Sequence, residues 1–348
     1  MGRVGRSSLL ALIVILLVLG SWAALRLGPP SRRPPPEVPA RGESRGEPVT
    51  HDAIEAPHPP EPEIVFFTVG RGPEGVAFDG TTIWVANQFS DSVTRLRAAD
   101  GAVLGTVPVG SRPLAVAFDG INTWVTNNRS GTVTKLQARD GAVLGTFPVG
   151  DGPAGVIFDG AALWVANRLG GSVTRLRPDG AKLGEVEVGA NPSALAFDGA
   201  NVWVTNSGSN TLTKLRAGDG AVLGTFAVGD GPSGVAFDGA SIWVANFFGQ
   251  SVLKLRPSDG AVLATVAVPD GPADVLAAGP YVWVASNGAD RVTKLRASDG
   301  MVVGSFRAGR HPSGLAFDGS SIWVSNSSGQ TVARRSSDVD PSAARLGQ

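Results

Sequence analysis

"FDGINTWVTNNRSGTVTKLQARDGAVLGTFPVG", residues 118–150, has close copies before and after it along the chain. Tryptophan marks the period. Trp84, Trp124, Trp164, Trp203, Trp243, Trp283 and Trp323 are spaced by 40, 40, 39, 40, 40 and 40 residues, and the eighth, Trp22, lies in an N-terminal apolar run. A period near 40 residues is the size of one propeller blade, and a repeat of this kind decides the architecture before any local reading does.

Each copy holds four short segments rich in Val, Leu, Phe, Trp and Thr, separated by turn residues, which is a strand signal. Around residues 110–150 they read "LAVAFD", "TWVTN", "TVTKLQ" and "VLGTFPV". The Asp-Gly pairs between them suit turns that need positive φ. Four antiparallel strands, A to D, are expected per unit. Pro108 and Pro148 fall inside strand D, so D is the edge strand, because a missing N–H is tolerated where nothing pairs. Strand A carries small residues (Gly75, Ala115, Ala194, Gly234), as a crowded central axis requires.

The strand count sets the closure. Strand A occurs seven times, beginning near Gly75, Ala115, Gly155, Ala194, Gly234, Asp274 and Gly314, but the seventh unit stops after strand C near residue 336. "IVFFTVG", residues 64–70, matches strand D and precedes the first strand A. The expected fold is all-β, a seven-bladed propeller over 63–336 closed by an N-terminal outer strand that completes the last blade.

"WVTN" at 124–127 and 203–206, with "WVAN" at 84–87, 164–167 and 243–246, resembles the YVTN β-propeller repeat with Trp for Tyr. NHL repeats and streptogramin lyase propellers share the pattern of "GP-x-G-V-A" followed by an aromatic strand. The resemblance covers residues 63–336 and implies a seven-bladed ring, often extracytoplasmic. It implies no single activity, since propellers host unrelated functions.

Residues 1–6, "MGRVGR", and the uncharged "LLALIVILLVLGSWAAL" at 9–25 read as a targeting segment over 1–27, either a cleaved signal peptide or a signal anchor. Residues 28–62 hold eleven prolines and form no core, so they read as an extended linker. The tail, 337–348, reads as disordered. Lys plus Arg equal Asp plus Glu at 30 each, which argues against nucleic acid as a partner, as does the single Tyr. There is no cysteine, so disulfides, thiolate metal sites and Cys nucleophiles are excluded.

Several repeated residues have structural explanations. The seven Trp read as inter-blade core, and the Asn three residues after six of them (Asn87, Asn127, Asn167, Asn206, Asn246, Asn326) as a cap on the B–C turn. The Asp of six A–B turns (Asp79, Asp119, Asp159, Asp198, Asp238, Asp318) reads as structural. The cations of strand C, as in "RLR" at 95–97, read as a solvated rim neutralised by Asp in the next turn. No loop shows the converging oxygens of a calcium site, and no metal or cofactor is expected.

Departures from the repeat carry more information. Blade six departs most: "GVAFDG" becomes "DVLAAG" at 274–279, Asp274 stands near one mouth of the channel, and Ser286 replaces the Asn. The D–A and B–C loops, expected on one face, gather Arg71, Glu74, Phe89, Asp91, Arg112, Arg129, Arg168, Asp230, Phe247, Phe248, Asp270, Arg310 and His311. Loops on a rigid scaffold are where binding resides. From this set Arg71, Phe89, Arg112, Arg129, Arg168, Phe247, Phe248, Asp270, Arg310 and His311, with Asp274, are the candidate ligand- or partner-binding residues. No catalytic residue is assigned.

The expectation is a monomeric, non-enzymatic, extracytoplasmic scaffold binding a protein or small molecule on that face, with the membrane engaged through 9–25 where that segment is retained. The alternatives are a streptogramin lyase-like enzyme, for which the resemblance implies catalytic His residues, and a nucleic-acid-binding propeller. His51 and His58 lie in the linker, which leaves His311 alone on the ring.

Overall fold

The computed structural model describes residues 63–337. Among them are seven four-stranded antiparallel sheets. Blade one is typical: A is Pro73–Phe78, B Thr82–Asn87, C Ser92–Arg97 and D Val103–Pro108. Blades two to five repeat it over 113–148, 153–187, 192–227 and 232–267. Blade six runs Pro272–Ala278, Tyr281–Ser286, Arg291–Arg296 and Val302–Arg307. In blade seven Pro312–Phe317, Ser321–Asn326 and Thr331–Ser336 are joined by Ile64–Thr68, which pairs with strand C from Ile64↔Arg335 to Thr68↔Thr331. The strands A touch one another in a closed circle, blade seven meeting blade one. The chain is a seven-bladed β-propeller latched by its first strand. The targeting segment and linker assigned to 1–62, and the tail from 338 on, lie outside the described residues. Ser337, placed in the tail by sequence, is buried, and its N–H and Oγ both donate to Ser320 O at 2.9 and 2.7 Å.

Strand A starts two residues earlier than its small residues suggest, at the proline, and bulges before the next apolar residue. The crowding at the axis is real: a Cβ on Gly75 would fall 2.6 Å from Leu114 O, and one on Gly234 2.8 Å from Asp274 Cα. Glycine there lets neighbouring backbones approach.

All seven repeated Trp are buried between blades, at 0–2% exposure. In six blades the A–B turn aspartate holds the indole. Asp79 Oδ1 accepts the N–H groups of Thr81 and Thr82 at 2.9 and 2.7 Å, while Oδ2 accepts Trp84 Nε1–H at 2.7 Å. One carboxylate thus shapes the turn and satisfies the buried donor.

Two sequence expectations are corrected. First, the Asn after Trp does not cap the B–C turn backbone through its side chain. Asn87 Nδ2 donates to Ser92 Oγ and Thr94 Oγ1 on strand C, at 3.4 and 2.9 Å, and the side chain fills the space beside Gly70 of the D–A loop. The turn is closed instead by backbone, Ser90 N–H donating to Asn87 O. Second, the leading cation of strand C is no solvated rim. Arg95 stacks over Trp84 at 5.0 Å and donates to Asp140 O and Arg139 O of the next blade. Lys214 stacks over Trp203 at 5.0 Å and donates to Pro257 O at 2.7 Å. Lys254 and Arg334 repeat the clasp on the next C–D turn. Only the second cation forms the expected exposed pair, as in Arg97–Asp100 at 2.9 Å.

Candidate functional site

Strand register places both variable loops at one end of each blade. Pro73, the start of A, pairs with Asn87, the end of B, and Ser92, the start of C, pairs with Pro108, the end of D. Backbone bonds tie the loops together: Gln88 N–H donates to Gly72 O and Phe89 N–H to Arg71 O.

The residue before the proline of strand A is left-handed in every blade, and four blades use glycine there. Arg112 (φ 56°), Asn191 (φ 51°) and His311 (φ 52°) occupy the same position in blades two, four and seven. A non-glycine residue in this region carries a conformational cost. The preceding blade holds two of these loops in place, since Asp91 Oδ1 accepts Arg112 N–H and Asp290 Oδ1 accepts His311 N–H, each at 2.8 Å. Asp91 and Asp290 are therefore braces between blades.

The first two residues of the B–C loop diverge. The first leans toward the inner strands: Gln88 Nε2–H donates to Glu74 Oε1, and Asn128 and Asn287 reach Pro153 O and Pro312 O of the next blade. Phe247 follows this direction and lies over Gly271 of the next D–A loop. The second residue turns outward over the glycine of its own D–A loop. Phe89 covers Gly72, Leu169 covers Gly152 and Phe248 covers Gly231. Their exposures, 59%, 74% and 70%, show that three large apolar side chains stand at equivalent positions of alternate blades one, three and five. Phe247 and Phe248 meet edge-on at 5.2 Å, yet only Phe248 is open to solvent.

The basic residues are spread over one arc. Arg310, Arg71, Arg112, Arg129 and Arg168 are exposed on blades seven, one, two and three. Arg71 Nη2–H donates to Phe89 O at 2.9 Å and so fixes the base of that aromatic. Asp270 is exposed on the other side of the ring and accepts a 3.3 Å hydrogen bond from Gln250 Nε2. His311, the only histidine among the described residues, has its Nδ1 2.5 Å from Ser328 Oγ.

Glu74 is the residue whose weight the sequence underestimated. It is half-buried on strand A of blade one, where other blades carry Leu, Ala or Ser. Burial pushes its carboxyl up to about 7, against the opposing pull of Ser313, the Arg112 charge and Gln88. Asp274, on strand A of blade six, is pushed up to about 6 by burial. Its Oδ1 accepts Val275 N–H and its Oδ2 accepts Leu315 N–H of blade seven, both at 2.9 Å. Ser313 and Leu315, two residues apart, thus face these two acids from one strand. The structure brings Glu74, Gln88, Arg112 and Ser313 into one group at the channel mouth, and leaves Arg129, Arg168 and Asp270 apart from it. A carboxylate standing in a run of small neutral residues was the signal available in "GPEGVAF" at 72–78.

No family model matches the chain, and no curated protein matches it. Solved structures do. A streptogramin B lyase structure is 16% identical, with a TM-score of 0.70 over 79% of this chain and 97% of its own. A catalytically inactive virginiamycin B lyase from Staphylococcus aureus with quinupristin is 18% identical, with a TM-score of 0.69 over 79% and 99%. Hydrazine synthase of Kuenenia stuttgartiensis is 21% identical, with a TM-score of 0.70 over 77% and 96%. At these identities the likeness is one of fold.

Proposed function

We propose that this propeller, of YVTN type, is a non-enzymatic binding scaffold that captures a partner on its D–A and B–C loop face. The observation that carries the reading is the trio Phe89, Leu169 and Phe248, exposed at equivalent positions in alternate blades beside Arg71 and Arg168. Large apolar side chains grouped on one face with arginine among them have the composition of an interface rather than of bare surface. The rigid ring holds the loops in place, so little ordering cost opposes binding. Extracytoplasmic placement is part of the proposal and rests on the apolar segment 9–25.

The test is comparative capture. Full-length protein and the triple variant Phe89→Ala, Leu169→Ala, Phe248→Ala are immobilised, partners are identified by mass spectrometry, and cleavage of a cyclic depsipeptide lactone is assayed in parallel. The scaffold reading expects a partner lost by the triple variant with circular dichroism unchanged, and no lactone turnover. Turnover that disappears in His311→Ala would replace the scaffold by a lyase.

A further inference from the structure

The two ends of the blades treat charge differently. At the C–D turns it is neutralised within a blade, as in Arg97–Asp100, Arg216–Asp219 and Arg256–Asp259. On the D–A and B–C loop face it is segregated between blades. The loops of blades seven, one, two and three carry Arg310, Arg71, Arg112, Arg129 and Arg168 against Asp91 and Asp151. Asp91 is already engaged by Arg112 N–H. The loops of blades four, five and six carry Asp230, Asp270 and Asp290 and no lysine or arginine. Arg291 and Arg307 of blade six stand on strands C and D instead, and Arg291 is bonded to Ser305.

The exposed apolar residues follow the same plan. Phe89, Leu169 and Phe248 belong to blades one, three and five, so blade three lies midway between the other two. Counting outward from blade three in both directions matches blade two with four, one with five, and seven with six. The matches are complementary: Phe89 with Phe248, Arg71 with Asp230, and Arg310 with Asp270, all six exposed except that Phe89 carries Arg71 on its carbonyl. On blade three itself Asp151 and Arg168 offer opposite charges. Two rings packed face to face about a two-fold axis lying in the face run their blades in opposite order. An axis through blade three therefore brings together the same pairs. A foreign partner would impose no such relation between one half of the face and the other.

We propose that the loop face binds a second copy of this chain, the two rings facing each other about a two-fold axis through blade three. This rests on the scaffold reading of that face and names its partner, giving a dimer where the sequence alone suggests a monomer. Leu169 meets the copy's Leu169, Phe89 meets the copy's Phe248, and the arginine arc of each ring lies over the aspartates of the other. The apolar contacts supply affinity, and the charges fix the register.

The chain has no cysteine, so introduced thiols report the register directly. Under mild oxidation, full-length Leu169→Cys should form a disulfide-linked dimer. Phe89→Cys and Phe248→Cys should cross-link at least tenfold more when mixed than singly, and Ile121→Cys, at the opposite end, should stay monomeric. In sedimentation equilibrium Arg71→Asp should raise the dimer Kd at least tenfold, and adding Asp230→Arg to the same chain should bring it back to within threefold, since each copy then exchanges its charges. If Arg71→Asp does not fold, Asp230→Arg alone carries the loss and the double variant the rescue. A monomeric parent, cross-linking as ready through Ile121→Cys as through Leu169→Cys, or no recovery in the folded double variant would overturn the proposal. A monomeric parent that still captures a different protein, lost in the Phe89, Leu169 and Phe248 triple variant, would overturn the second copy alone and keep the scaffold reading.

Discussion

Trp243 donates its indole N–H to Asp238 Oδ2 across 2.7 Å, whereas Trp283, its counterpart one blade on, has no acceptor, because Ala278 stands where the aspartate would be. Trp283 is 2% exposed, so its indole N–H is shielded from bulk solvent. An unsatisfied buried donor costs about 1–3 kcal/mol. Ala278→Asp should therefore stabilise the ring by about 1 kcal/mol or more, read as a shift of the denaturant midpoint at constant m. A destabilised variant would mean that blade six has repacked around the alanine.

Ring closure rests on Ile64–Thr68. Phe67 stacks on Trp323 with centroids 5.4 Å apart, and a Cβ on Gly101 of blade one would collide with its ring, so the first strand touches both sides of the seam. Phe67→Ala should cost about 3 kcal/mol, and deletion of residues 63–69 more, since it also frees the edge of Thr331–Ser336. Calorimetry checks both. An unchanged transition in the deletion would contradict the latch.

The clasp between blades can be separated from simple packing. Lys214→Met keeps the aliphatic stem over Trp203 but removes the charge and the 2.7 Å bond to Pro257 O. The expected loss is about 1–2 kcal/mol, the sum of a cation–π contact and a charged hydrogen bond. Chemical denaturation measures it, and no loss would place Lys214 among ordinary surface cations.

Much of the fold can be read from residue spacing: the tryptophan period counted the blades, the prolines marked the edge strand, and "IVFFTVG" supplied the missing one. The details that escaped are those set by the neighbouring blade. Asn87 finds its partners on strand C, and Arg95 finds its acceptors in the next C–D turn, 44 or 45 residues on, so neither can be inferred within one repeat. The candidate site was legible as a face, through its loop positions, but not as a group. That Glu74 meets Ser313 depends on the seam where blade seven meets blade one.

That seam should respond to pH. The Glu74 carboxyl titrates near 4.5 when unburied and at about 7 in the ring, raised first by burial, so the folded state holds the proton between these values. Its contribution to stability is present below pH 4.5 and is lost as pH rises through about 7. Asp274 acts in the same sense between 3.8 and about 6. Glu74→Gln should flatten the decline of stability between pH 4.5 and 7 and be more stable than the parent at pH 8. Thermal melts across this range test it, and parallel curves for the two proteins would contradict the buried carboxyl.

The proposed binding on the D–A and B–C loop face is tested by the affinity of a captured partner for two matched variants. One is Phe89→Ala, Leu169→Ala, Phe248→Ala. The other is Ile121→Ala with Met301→Ala, exposed apolar residues in the A–B and C–D turns at the opposite end of the blades. Truncating central apolar anchors commonly costs more than 1 kcal/mol each. Calorimetric titration should therefore show Kd raised at least tenfold by the first variant and unchanged by the second. An unchanged Kd in the first, or the loss appearing in the second, would contradict the assignment of the face.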